Sequence, residues 1–138
     1  MVVTDASVVY KWFNSAEEDI EKAFDILQLH LHKQNVVVVP DILLYELANV
    51  WSTKTSLTAA NAIANLNQLK KHALVVISVN FVLLEKAISM SKKQHISVYD
   101  AAYVALAQEK KCDFITADAK LVNNVTLPFV KLLKDYKT

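Results

Sequence analysis

Short runs of β-branched residues alternate along the chain with longer stretches in which apolar positions recur at helical spacing. The runs are VVT at 2–4, VVVV at 36–39, VVI at 75–77, FIT at 114–116 and FVKLL at 129–133. Between them the pattern predicts helices over 6–13, 17–34, 42–54, 58–72, 80–94, 98–111 and 118–123. Strands that are apolar throughout, rather than alternating, belong in a sheet covered on both faces. The expected fold class is therefore α/β, with a central, mainly parallel five-stranded sheet as the middle of three layers. Asp41, Thr58, Asn80 and Ser97 precede helices and are expected to cap them. No linker, repeat or low-complexity segment divides the chain. SLTAANAIANLNQL at 56–69 repeats alanine and asparagine, but at a spacing that makes an amphipathic surface helix. One domain over residues 1–138 is expected.

Composition narrows the chemistry. The 138 residues are 54% hydrophobic, yet no apolar run reaches the roughly 20 residues of a membrane helix. Asp5 interrupts the first hydrophobic stretch, so no secretory leader is expected, and a cytoplasmic location follows. The single cysteine, Cys112, excludes an internal disulfide and a cysteine-rich zinc site, and reads as a small apolar residue. Glycine is absent, where ordinary usage would predict about ten. The phosphate-cradling loop of nucleotide hydrolases and the dinucleotide fingerprint, which both need glycine, are thereby excluded. Positive-φ positions are expected to fall to Asn35, Asn123 and Asn124.

The net charge of +1 conceals an asymmetry. Residues 1–49 hold eight acids and three lysines, and residues 50–138 hold six acids and twelve lysines. The run Glu17, Glu18, Asp19, Glu21 and Asp25 reads as a solvated helix start, and the lysine pairs at 70–71, 92–93 and 110–111 suit helix ends. All fifteen basic residues are lysine, so arginine's bidentate phosphate and guanine contacts are unavailable.

Four acids stand where a carboxylate has no evident structural use. Asp5 directly follows the first strand and Asp118 lies two residues beyond the fourth, both at strand C-termini, where open α/β sheets bind ligands. Asp100 opens the uncharged run AAYVALA and shares a helix face with Tyr103, Val104 and Ala107. Glu46 lies at the margin of the stripe Leu43, Leu47, Val50 and Trp51, with Asn49 on its side of the helix. Each has an ordinary alternative: Asp5 and Asp118 suit helix caps, Asp100 completes the capping box Ser97-x-x-Asp100, and Glu46 suits a surface margin. Their joint placement favours a shared task. Asp41 and Asp113 are set aside as a plain N-cap and a strand lead-in. His30, His32, His72 and His95 show no spacing for a triad or a zinc site and are expected at the surface. Among Tyr10, Trp12 and Tyr45, helical spacing favours packing over base stacking. Converging carboxylates repel one another until cations bind, and an all-oxygen donor set selects Mg²⁺ or Mn²⁺. Such a site suits phosphodiester hydrolysis through an activated water.

The segments VVTDASVVYKW at 2–12, VVVPDILLYELANVW at 37–51 and ISVYDAAYVALAQEKKCDFITADAKL at 96–121 resemble the PIN-domain nucleases, in particular the VapC-like ribonuclease toxins of toxin–antitoxin pairs. The resemblance spans nearly the whole chain. It implies a PIN-like α/β/α fold with metal-binding, catalytic carboxylates at Asp5, Glu46, Asp100 and Asp118, and polar supports at Ser7 and Thr116. Asn49 matches a frequent polar position after the glutamate. The resemblance further implies an RNA substrate, a homodimer and an antitoxin lying across the active-site groove. A Mg²⁺- or Mn²⁺-dependent endoribonuclease is thus the expected function. The rivals are a non-catalytic PIN-like module that binds RNA or protein, an RNA-processing nuclease outside toxin–antitoxin systems, and a phosphate-receiver domain or aspartyl phosphotransferase. The last usually requires Asp-x-Asp after the first strand, where this chain has Asp5-Ala-Ser7.

Overall fold

The five apolar runs become β1 (Val2–Thr4), β2 (Val37–Pro40), β3 (Val75–Ile77), β4 (Asp113–Thr116) and β5 (Val130–Leu132) in the computed structural model, which describes residues 1–138. They form one sheet in the order β3-β2-β1-β4-β5, and every pairing is parallel. Val3 pairs with Val38 on one side and Phe114 on the other, so β1 is the central strand and is buried throughout.

The helices are α1 (Ala6–Val9), continued by a 3-10 turn at Tyr10–Phe13, α2 (Ile20–Leu31), α3 (Ile42–Thr53), α4 (Ala59–His72), α5 (Phe81–Gln94), α6 (Val98–Lys110) and α7 (Ala119–Asn124). The chain steps outward from β1 to β2 and β3, then returns to the far side of β1 for β4 and β5. Right-handed crossovers on that path place α2, α3 and α4 over one face and α5, α6 and α7 over the other. The innermost helix is α6, which packs across β1, β2 and β4 and carries α5 on its outer side. Its residues Ala101–Ala107 are all buried. Four alanines in that run let the helix lie close to the sheet, and Tyr103 stacks on Phe114 with ring centroids 5.8 Å apart and planes 9° from parallel.

Thr58, Asn80 and Ser97 cap their helices as expected, each accepting a backbone N–H through its side chain. Asp41 does not. It already has helical backbone angles and turns its Oδ2 to the Val79 amide at 3.2 Å, tying the end of β2 to the segment after β3. The acidic stretch also departs from expectation, because α2 begins only at Ile20 and Glu17, Glu18 and Asp19 lie in the preceding turn. Positive φ falls not on Asn35, Asn123 or Asn124 but on Asp19, Lys33, Ala73, His95 and Lys111. Three of these, Ala73, His95 and Lys111, are the left-handed C-caps of α4, α5 and α6. The position is set by where a helix must stop to reach the next strand, and whatever residue falls there takes it.

His30 is buried rather than at the surface. Its Nδ1 accepts the Val37 amide at 3.1 Å, which leaves Nε2 to donate to the His72 carbonyl at 2.8 Å, so one ring joins α2, β2 and the end of α4. His72 meets Trp12 edge-on at 5.9 Å, and Trp12 is itself buried, donating to the Ala23 carbonyl at 2.7 Å.

Candidate active site

The strand order reverses between β1 and β4, and the loops leaving those neighbouring strands diverge there. Asp5 is the first residue after β1 and Asp118 the second after β4, so the switch brings both to one rim. Glu46 reaches the same rim from α3, which follows β2. Asp100 reaches it from the first turn of α6, whose start lies at the C-terminal ends of the strands because the helix runs back toward the start of β4.

Asp5 is buried and caps α1. Its Oδ1 accepts the Ser7 amide at 3.1 Å, the Ser7 hydroxyl at 2.5 Å and the Val8 amide at 3.4 Å, while Oδ2 accepts the Thr116 hydroxyl at 2.6 Å. The direction of these bonds is set from β4. The Ala117 amide donates to Ser7 Oγ at 2.9 Å and the Asp118 amide to Thr116 Oγ1 at 3.1 Å. Each hydroxyl therefore accepts from the backbone and has one proton left, which goes to Asp5. Burial nevertheless pushes the Asp5 carboxyl up from 3.8 to about 6; the bonds from Ser7, Thr116 and Val8 hold it down, and the nearby Asp100 charge adds to the rise.

Glu46 is half-buried and accepts the Tyr103 hydroxyl through Oε1 at 3.2 Å. Burial raises it from 4.5 to about 7, against the Tyr103 bond and with the Asp5 and Asp100 charges reinforcing the shift. Tyr103 is driven well above its ordinary value, by burial first and then by Glu46 and Asp5, so it remains a donor. Asp100 is raised by burial and by Asp118, with a bond from Ser97 opposing. Asp118 is exposed and caps α7 through the Leu121 amide at 3.1 Å.

Asp5, Glu46 and Asp100 are thus within electrostatic reach of one another and Asp118 is within reach of Asp100, and none of the four belongs to an ion pair. They do not form a ready cage, since no three His, Cys, Asp or Glu side chains stand close enough together to hold a metal ion. The donor set suits a hard divalent cation even so. It is entirely oxygen, and in Asp5, Glu46 and Asp100 burial first and neighbouring carboxylates second raise the proton affinity, with no lysine paired to oppose them. The capping roles of Asp5 and Asp118 are realised at the same time, whereas at α6 the cap is Ser97, whose Oγ accepts the Asp100 amide at 3.1 Å, and the Asp100 carboxylate makes no return bond to the Ser97 amide. Asn49 makes no bond to Glu46. It is exposed, pairs only with Thr53, and lines a cleft beside Glu46.

The part of Tyr103 in holding Glu46 is absent from the sequence reading. A lone hydroxyl in an otherwise aliphatic buried helix, three residues after Asp100, was the available signal, because such a group must find an acceptor. Beside Ser7 a cavity of about 520 Å³ is lined by Lys11, Glu17 and Lys54 among others. Glu17 pairs with the buried Lys11 at 3.7 Å, so Lys54 is the lysine there without an ion-pair partner.

A family model for the PIN domain matches residues 2–125. No curated protein matches the sequence. Among solved structures, the chain is similar to VapBC2 from Rickettsia felis, bound to a DNA fragment from its promoter, with a TM-score of 0.72 at 16% identity over 96% of this chain and 97% of that one. It is also similar to VapC20 of Mycobacterium tuberculosis, a sarcin–ricin loop cleaving toxin, with a TM-score of 0.68 at 18% identity over 95% of this chain and 99% of that one. PAE2754 from Pyrobaculum aerophilum gives a TM-score of 0.68 at 17% identity over 96% of this chain and 90% of that one. At such identities the likeness to these structures is one of fold.

Proposed function

Because the chain belongs to the PIN domain family, matched over residues 2–125, we propose that it is a metal-dependent endoribonuclease and the toxin of a toxin–antitoxin pair. The observation that carries the reading is the set of raised carboxyls, Asp5, Glu46 and Asp100, at the sheet's switch point with no lysine paired to them. Unpaired, half-buried negative charge destabilises a fold, and its retention makes sense where an external cation completes it.

In this reading Asp5, Glu46, Asp100 and Asp118 would hold Mg²⁺ or Mn²⁺. Such an ion, when bound, would supply the positive charge that phosphodiester hydrolysis by water requires. The chain's own residues prepare the place. Ser7 and Thr116 fix Asp5 by donating to both of its oxygens, and the Ala117 and Asp118 amides fix the two hydroxyls in turn. Tyr103 orients Glu46. Without the ion, burial pushes the Glu46 carboxyl up to about 7, so an arriving cation would favour its ionised form at neutral pH. Lys54 offers a cation to a phosphate backbone entering beside Ser7, while the neighbouring Lys11 is buried and paired with Glu17 at 3.7 Å.

The toxin assignment draws on the toxins and toxin–antitoxin complexes among the similar structures, which also support an antitoxin partner. A homodimer is consistent with the apolar side chains that α4 and α5 leave exposed, among them Ile63, Leu66, Phe81 and Val82. We place its action in the cytoplasm, where RNA and antitoxin are available; no helix is long and apolar enough to cross a membrane.

A non-catalytic PIN-like binding module is the second reading. It is favoured by Asp5 and Asp118 already serving as helix caps. The deciding assay incubates single-stranded and structured RNAs with the protein and Mg²⁺ or Mn²⁺, beside an Asp5→Asn control. Cleavage that the substitution abolishes supports the nuclease, whereas RNA left intact by both proteins leaves the binding module standing.

A further inference from the structure

Tyr45 and Tyr99 are 82% and 65% exposed, and with Ile42, Glu46 and Asn49 they line one cleft of about 540 Å³. Tyr45 precedes Glu46 on α3, and Tyr99 precedes Asp100 on α6. Neither ring packs against another aromatic side chain and neither hydroxyl has a hydrogen-bond partner. Helical spacing in the sequence favours packing for Tyr45, but only its companions follow that rule: Trp12 is buried and Tyr10 is half-buried.

We propose that this cleft, walled by Tyr45 and Tyr99, is a stacking subsite for one unpaired nucleobase next to the scissile phosphate. The occupant's chemistry is read from the walls. Two tyrosine rings and Ile42 offer flat, apolar contact for a π-face, and base–aromatic stacking tolerates any base. Asn49 carries an amide donor and acceptor, the pair that a base edge presents. Glu46 belongs both to the cleft and to the acidic region, so a base seated there holds its phosphodiester beside the carboxylates. A paired base has both faces covered by its neighbours in the helix and cannot enter. The inference rests on the nuclease reading for the identity of the polymer.

The test measures fluorescence anisotropy of a short single-stranded RNA and of a hairpin duplex, using Asp5→Asn protein so that neither is consumed. Tyr45→Ala and Tyr99→Ala are expected to weaken single-strand binding by roughly 5- to 30-fold each, with Tyr45→Phe close to the parent and duplex binding unchanged. Both sites are exposed, so folding is checked by an unaltered melting temperature. Undiminished single-strand binding in both alanine variants overturns the subsite, as does equal loss for strand and duplex. A variant that keeps its RNA affinity but changes its elution on gel filtration overturns it in favour of a protein contact. Cleavage by the intact protein is scored separately. An inactive protein with tyrosine-dependent single-strand binding loses the nuclease reading and keeps a base-stacking cleft without a scissile phosphate, while an active one with tyrosine-independent binding loses the subsite alone.

Discussion

At Asp5 the fold keeps a carboxyl out of water and surrounds it with donors, yet burial still outweighs them. The consequence is a measurable pH dependence. The unfolded chain releases the Asp5 and Glu46 protons near the ordinary values of 3.8 and 4.5, whereas the folded chain holds them to about 6 and about 7. Stability therefore falls as pH rises from about 4 to about 7, because the unfolded state ionises first. Thermal melts of the metal-free protein should show the midpoint dropping across that window, and Asp5→Asn or Glu46→Gln should flatten it. A midpoint that rises with pH would contradict the burial argument. Tyr103 supplies a finer probe. Its hydroxyl favours the ionised form of Glu46, so Tyr103→Phe should move the acidic limb of a cleavage pH profile toward higher pH, at a cost in stability of about 1 kcal/mol.

At the scale of elements, several helices end on residues poorly suited to the task. Ala73, His95 and Lys111 take φ near 55, 57 and 53 because a chain without glycine has nothing better to place there. A left-handed backbone costs a residue with a Cβ roughly 1 kcal/mol, which glycine avoids. Ala73→Gly and Lys111→Gly should each stabilise the fold by about 1 kcal/mol in denaturant titration, contrary to the usual effect of introducing glycine. Both sites lie at the ends of α4 and α6 away from the acidic rim, so RNA cleavage should be unaffected. The Ser97 cap is the opposite case. Ser97→Ala removes the acceptor for the Asp100 amide and a donor to its carboxyl, costing about 1 kcal/mol and loosening the start of α6 where Asp100 must be held.

For the whole molecule, the reversal of strand order decides where charge collects. Carboxylates from β1, α3, α6 and the loop after β4 share one rim without a paired lysine. Millimolar Mn²⁺ or Mg²⁺ should raise the melting temperature, by an amount corresponding to about 2.7 kcal/mol at a hundredfold excess over Kd, and Asp100→Asn should reduce the gain. An unchanged midpoint at saturating metal would remove the ion from the mechanism. Lysine alone must neutralise the phosphates, so Lys54→Ala should weaken RNA binding regardless of sequence and lower the salt dependence by about one ion.

The local pattern determined much of this protein. Five β-branched runs between helical stretches were enough for a parallel α/β sheet, and Thr58, Asn80 and Ser97 announced their helices, because strand, helix and cap preferences act over a few residues. The positions of Asp5 and Asp118 at strand ends were legible for the same reason. What tertiary structure alone decided lies in contacts between distant segments. Ser7 and Thr116 meet on one carboxylate across 109 residues of chain, Tyr103 finds Glu46 across 57, and His30 closes against β2 and α4 from a position that looks like surface. The same is true of where positive φ falls and of Tyr45 standing free while Trp12 is buried. A residue's periodicity tells which face of its own helix it occupies. Whether that face meets a neighbour, a cleft or water depends on how the crossovers stack the helices, and that is a property of the assembled sheet.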